Sequence, residues 1–109
     1  MTSHFRKEKI TNGIRELAAT FIEKESNMTS LITVTRVDLS EDNKHANIMI
    51  SVIPKEKENA ALGYIKRNLG ELRKYIIKEL RINPTPYLDV MIDLGEKNRQ
   101  KIDGLLKNS

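Results

Sequence analysis

The chain is 109 residues long, with 39% apolar and 31% charged residues, no cysteine and a net charge of +4. That length suits one domain, 1–109, with a single core near the small end of the usual range. The composition excludes disulfides and thiolate metal sites and fits a reducing cytoplasm; no run approaches the roughly eighteen apolar residues of a membrane span, and the segment Met1 to Lys9 holds no apolar core of a secretory signal.

Ile10, Ile14, Leu17, Ala18, Phe21 and Ile22 recur at helical spacing, which predicts an amphipathic helix over residues 5–25 with Ser3 as its N-cap. Ser26-Asn27-Met28-Thr29-Ser30 is poor in helix formers and ends it. Leu31 to Leu39 is β-branched and alternating, hence a strand. Its apolar parity switches between Ile32/Val34 and Val37/Leu39, so a bulge is expected near Thr35 and Arg36. Ser40 to Lys44 supplies turn chemistry. A second strand follows with Ala46, Ile48, Ile50 and Val52 on its buried face, and the two strands are expected to form an antiparallel hairpin.

Pro54 and the charged run Lys55 to Glu58 read as a solvated connection. A helical unit spans residues 59–82; Gly70 in its middle leaves a straight helix, a kink or a break all open. Asn83-Pro84-Thr85-Pro86 ends the unit, because proline removes a donor and disfavours helix in the residue before it. Leu88, Val90 and Ile92 alternate into a third strand. Gly95 punctuates, and residues 96–107 suit a short helix burying Ile102, Leu105 and Leu106. The expected fold is α+β, a three-stranded sheet covered on one side by helices.

Charge is distributed unevenly over these elements. Ala61 to Arg81 holds six basic residues, Lys66, Arg67, Arg73, Lys74, Lys78 and Arg81, against Glu71 and Glu79, while the rest of the chain has thirteen of each sign. At about 100° per residue, Leu62, Ile65, Leu69, Leu72, Ile76 and Leu80 fall within an arc of roughly 80°, and Arg67, Lys74, Lys78 and Arg81 within roughly 60° on the opposite side. Gly63 and Gly70 project onto the basic side, where a missing Cβ leaves room for another backbone. A localised positive surface suits a polyphosphate, so nucleic acid is the first partner to consider. Arg6, Lys7 and Lys9 form a weaker second basic arm, interrupted by Glu8. Tyr64 and Tyr75 flank the arc and are expected to be partly buried, so recognition of RNA shape and phosphate is expected rather than of sequence.

Catalytic chemistry is missing from the pattern. Asp38, Glu41 and Asp42 surround a turn and read as its solvated polar residues; Asp93 and Glu96 read as caps of the terminal helix. His4 and His45 are too far apart for a metal motif, and no glycine-rich phosphate loop with its lysine is present. No enzyme, cofactor, metal or small-molecule substrate is expected.

Several blocks together resemble the ribosome-binding factor A family. They are Val34 to Asp42 with His45 to Ser51, then Leu80-Arg81-Ile82 with Thr85-Pro86-Tyr87-Leu88 and Ile92-Asp93, and finally Lys101-Ile102 with Leu105-Leu106, opened by Lys9-Ile10 and Ile14. The resemblance implies a type II KH-like fold of order α-β-β-α-(kink)-α-β. It also implies an Ala-x-Gly interruption in place of the Gly-x-x-Gly loop of ordinary KH domains. Here that interruption falls on Asn68-Leu69-Gly70, Asn68 replacing alanine and suited to cap the following helix, while the literal Ala61-Leu62-Gly63 one heptad earlier is a decoy. The family's acidic-proline motif is absent around Asn27 and Met28. The implied function is that of a cytoplasmic, monomeric factor. It binds the small (30S) ribosomal subunit and its 16S rRNA in late assembly and promotes maturation of the precursor's 5′ end. The expected contacts are Lys66, Arg67, Asn68, Gly70, Arg73, Lys74, Lys78 and Arg81, with Arg6, Lys7 and Lys9 weaker. Two other readings stand beside it: a generic RNA- or DNA-binding KH-like domain, which would use the same charge, and a protein-interaction module using the third strand as an open edge, which would bind acidic partners and tolerate loss of the basic arc.

Overall fold

The structure, a computed structural model, describes residues 3–24, 30–82 and 84–95, with the backbone alone for 3–5. The elements run α1 (Ser3–Glu23), β1 (Leu31–Leu39), β2 (His45–Ile53), α2 (Glu58–Arg67), α3 (Leu69–Leu80) and β3 (Tyr87–Ile92). The expected segments around Asn27 and over residues 96–107 lie outside the described residues.

The buried stripe of α1 is Ile10, Ile14, Ala18 and Ile22, a four-residue repeat that lays one face on the sheet. Ser3 is the first residue of the helix rather than the cap ahead of it, and the helix stops at Glu23, two residues early. β1 and β2 pair antiparallel, and the register passes from Val34↔Ile50 to Arg36↔Met49, leaving Thr35 without an opposite number. This is the expected bulge. It restores the alternation, so that Ile32 and Val34 before it and Val37 after it all face inward. The turn between the strands closes through Ser40 N–H to the His45 carbonyl (2.8 Å) and Asn43 N–H to the Ser40 carbonyl (3.0 Å). Asn43 accepts the left-handed backbone there, φ 62°, which its short polar side chain tolerates.

Lys55 to Lys57 is not an open connection but a 3₁₀ turn, with Lys57 N–H bonded to the Pro54 carbonyl at 3.0 Å, and it feeds directly into α2 at Glu58. β3 joins the sheet beside β2 and parallel to it, in the order β1-β2-β3. A parallel return needs a crossover, and the two helices α2 and α3 supply it. Leu94 and Gly95 already turn helically after Asp93, so Gly95 does not mark a break.

Ala46, Ile48, Ile50 and Val52 from β2, with Val90 from β3, meet Ala61 and Ile65 of α2, Leu72 and Ile76 of α3 and the α1 stripe in one core. α1, α2 and α3 therefore cover one face of a mixed three-stranded sheet, the KH-like α+β arrangement. The other face carries a polar network. The Thr35 hydroxyl donates to the Asp93 carboxylate, and Arg36 Nη1 lies 3.3 Å from Asp93 Oδ2 while its Nε lies 3.0 Å from Asp38 Oδ1. Asp93 is buried, and the bulge turns Thr35 and Arg36 toward it.

Candidate nucleic-acid interface

The helical unit is broken, and it breaks at Asn68. Asn68 has φ −107° and ψ 10°, outside the helical region, and separates α2 from α3 by a single residue. Its side-chain Nδ2 donates to the Tyr64 carbonyl (2.8 Å), and its backbone N–H bonds the Ile65 carbonyl (2.9 Å). Asn68 thus ties off the C-terminus of α2, satisfying a carbonyl the helix would leave open. Asn68 stands at the N-cap position of α3 as expected, its carbonyl accepting from Leu72 N–H (3.0 Å), but its side chain makes no capping bond there and serves α2 instead. The helix runs unbroken through Ala61-Leu62-Gly63. Gly70 lies exposed in the first turn of α3 with nothing within 4 Å of where a Cβ would stand. No packing requirement explains its missing side chain. Gly63 differs, because a methyl there would lie 3.3 Å from Arg67 Nη1, so the Arg67 side chain already covers it.

Arg67, Lys74, Lys78 and Arg81 are exposed, as the helical projection predicts, and so is Lys66, which lies outside the projected arc. Lys74 Nζ lies 3.6 Å from Glu71 Oε1, but both side chains are more than two-thirds solvent-accessible, and such a pair is weak and screened by salt. Arg73 is a different case. Its Nη2 donates to the Thr85 carbonyl (2.9 Å), its Nε donates to the Pro86 carbonyl (3.3 Å), and its guanidinium sits 5.2 Å from the centre of the Tyr87 ring. Pro84 and Pro86 bring no N–H to this junction, so Arg73 supplies donors that the backbone lacks. Arg73 holds α3 to the start of β3, a role that helical arithmetic does not reveal.

Tyr64 and Tyr75 are half-buried against the core, Tyr75 with its ring 6.0 Å from that of Phe21. Tyr87 is the exposed aromatic instead, 66% accessible, its ring 5.9 Å from the His45 ring across the β2–β3 pairing. Helical projection does not single it out. The signal lies in the register His45↔Tyr87, which exists only once β3 is known to run parallel beside β2.

The basic arm of α1 meets the end of α3. Arg6, Lys9 and Gly13 share one helical face, and a methyl on Gly13 would stand 2.6 Å from Leu80 Cδ2. The Leu80 side chain therefore packs directly against the Gly13 backbone, and a methyl there would oblige it to shift. The approach places Arg6, Lys9 and Arg81 around one cleft of about 480 Å³, floored by Ile10, Leu80 and Ile82. Lys7 is half-buried and does not line it. Arg81 itself adopts the left-handed conformation, φ 55° and ψ 39°, as the residue that closes α3. Glycine is the usual occupant of that position, and a side chain with a Cβ costs about 1 kcal/mol there.

Around the hairpin turn the acidic groups are occupied locally. The Ser40 hydroxyl donates to Asp42 Oδ1 (2.6 Å) and so does Lys44 N–H (3.0 Å). These two bonds, the hydroxyl's first, hold the Asp42 carboxyl below its ordinary range. Arg36 is held above its ordinary value, first by its hydrogen bond to Asp38 and then by the charges of Asp38 and Asp93. Among the described residues no three His, Asp or Glu side chains gather as a metal site, and no described helix is long and apolar enough to cross a membrane.

The sequence model of ribosome-binding factor A matches residues 6–106. The chain is 31% identical over 112 residues to ribosome-binding factor A of Thermosipho melanesiensis, covering 97% of this chain and 90% of that one. In structure it is similar to the crystal structure of ribosome-binding factor A from Thermus thermophilus, with a TM-score of 0.68 at 20% identity, covering 79% of this chain and 94% of the other. It is similar too, with a TM-score of 0.63 at 21% identity, to a homology model of the Thermus thermophilus factor fitted into the cryo-EM map of a 30S–factor complex, covering 72% of this chain and 86% of that one. A helical pair broken at Asn68, a row of exposed cations and a match along nearly the whole sequence converge, and the chain belongs to the ribosome-binding factor A family, a family of ribosome-binding factors and not of enzymes.

Proposed function

We propose that this protein binds the small ribosomal subunit through its 16S rRNA during late assembly, promotes maturation of the precursor's 5′ end, and acts in the cytoplasm as a monomer. The observation that carries the reading is the row of exposed cations Lys66, Arg67, Lys74, Lys78 and Arg81 on the solvent side of α2 and α3. Only Lys74 has an acidic neighbour within ion-pair distance among the described residues. Unpaired cations on two rigid helices attract phosphates, and the counterions those phosphates release make the binding fall steeply with salt. Membership in a ribosome-binding family supports the small subunit as the polyanion concerned. Asn68 and Gly70 complete the proposed surface: the one bends it, and the other leaves a spot where an RNA backbone can approach without meeting a side chain. Arg73 belongs to it indirectly, as the residue that holds α3 in place.

A salt series of binding to purified small subunits, immature and mature, tests the reading, with large subunits and duplex DNA as controls. Tight binding confined to small subunits, falling steeply with salt, is the expected result. Reversing Arg67, Lys74 and Lys78 to Glu lowers affinity by about a hundredfold or more in physiological salt and leaves the thermal midpoint nearly unchanged. Unaltered binding by the folded triple variant sinks the proposal. Processing of the precursor 5′ end in cells relying on that variant tests the maturation step separately.

A further inference from the structure

We propose that Arg6 and Lys9 join Arg81, the last cation of the helical row, in a phosphate-gripping cleft between α1 and the end of α3, and that this cleft takes the sugar–phosphate backbone of the bound RNA. The inference rests on the proposed RNA-binding function and adds a second point of attachment to it.

Two independent observations carry it. The first is the cleft itself. Its wall is cationic at three places, two on α1 and one at the end of α3, and no acidic side chain among the described residues lines it. Arg6, Lys9 and Arg81 are exposed, and none has an ion-pair partner among the described residues. Glu8 and Glu16 line a neighbouring groove that shares only Lys9 and Leu80 with this one. The floor is Ile10, Leu80 and Ile82. An apolar floor under a cationic rim matches the two faces of a ribose–phosphate chain, with carbon atoms below and anionic oxygens at the edge. Arginine at two of the three positions offers the fork that phosphate oxygens accept.

The second observation is the backbone of Arg81. The residue occupies a left-handed position, φ 55°, where glycine fits without strain. No hydrogen bond or ion pair of its side chain to the fold offsets that strain among the described residues. Its backbone N–H bonds the Ile77 carbonyl at 3.1 Å, a contact any non-proline residue makes. Arg81 lines both the cleft and, on its other side, the groove formed by Arg73, Ile77, Ile82, Pro84 and Thr85. A residue held in a strained backbone conformation, whose side chain makes no hydrogen bond or ion pair among the described residues and stands between two grooves, is placed for something outside the molecule.

The strain makes the test discriminating. Arg81→Gly removes the charge and relieves the backbone, so the thermal midpoint should rise or hold while affinity for small subunits falls about three- to tenfold and the salt slope flattens by about one phosphate. Arg81→Lys keeps the charge and should fall between the native chain and Arg81→Gly. Arg6→Ala with Lys9→Ala should weaken binding similarly. If the three act on the same stretch of backbone, adding Arg81→Gly to that pair should cost less than the separate effects multiplied. Failure of the native chain to bind small subunits would remove the RNA reading altogether. Native binding with Arg81→Gly indistinguishable from it in affinity and slope overturns the cleft alone. A lower midpoint with unchanged binding also overturns it, since that is the signature of a cation serving only the α3 C-terminus.

Discussion

Arg36 and Arg81 carry the same charge and differ in nearly everything else. Arg36 lies at the bulge of β1, 3.0 Å from Asp38 and 3.3 Å from Asp93, with its pKa held up by both carboxylates. Arg81 closes α3 in a strained conformation and has no acidic partner among the described residues. The bulge region uses its charges inside the fold, whereas the helical edge leaves its charges for another molecule. Counting basic residues does not separate the two. What separates them is whether tertiary structure delivers a carboxylate to each guanidinium, and that is visible only when strands and helices have been assembled.

If the bulge network is internal, damaging it should harm the fold and spare binding. Asp93→Ala removes a buried carboxylate that accepts from Thr35 and pairs with Arg36. It should lower stability by about 1–2 kcal/mol, read from urea unfolding, because the hydroxyl keeps only its longer bond to the Met49 carbonyl (3.2 Å) while the half-exposed Arg36 falls back on water. Small-subunit affinity of the folded variant should not change; a fall in affinity would make the sheet network part of the interface.

On the helical side the opposite pairing is expected. Gly70→Ala fills an open position in α3, and it should raise stability by about 0.5–1 kcal/mol, since alanine is the better helix former. Affinity for small subunits should nevertheless drop, because a methyl then stands where the RNA backbone approaches. A more stable protein with unchanged affinity would take Gly70 out of the interface.

The smallest effect concerns the hairpin turn. Asp42 has a folded pKa below its ordinary value, so its contribution is fully present above the ordinary carboxylate range and is lost as pH falls through the folded value. The midpoint difference between the native chain and Asp42→Ala should therefore be largest near neutrality and shrink on acidification through and below the carboxylate range. A difference that stays constant over that range would mean the Ser40 and Lys44 bonds do not depend on the carboxylate charge.

Much of this molecule is legible in one dimension. The α1 stripe, the bulge at Thr35, the inward face of β2 and the exposure of Arg67, Lys74 and Lys78 follow from periods of 3.6 and 2 and from one parity switch. These features depend on residues near each other in the chain, so local pattern suffices. Periodicity overruns the end of α1 by two residues, and the run Lys55 to Lys57 reads as open chain because charge hides a single 3₁₀ turn. The family resemblance locates the interruption at Asn68, but which helix its side chain serves depends on whether the Tyr64 carbonyl or an N–H of α3 lies within reach.

The sequence by itself determined the element order, the core faces and the sign of the helical surface, because each is a matter of side-chain chemistry repeated at a backbone period. Tertiary structure alone decided the parallel return of β3, the contact of the His45 and Tyr87 rings, the capture of Arg73 by the Thr85 and Pro86 carbonyls, and the meeting of Arg6 and Lys9 with Arg81. The physical reason is common to all four. Each joins residues a dozen or more positions apart, and such contacts arise from packing the whole core, where the small volume of Gly13 or the missing N–H of a proline determines which side chain arrives.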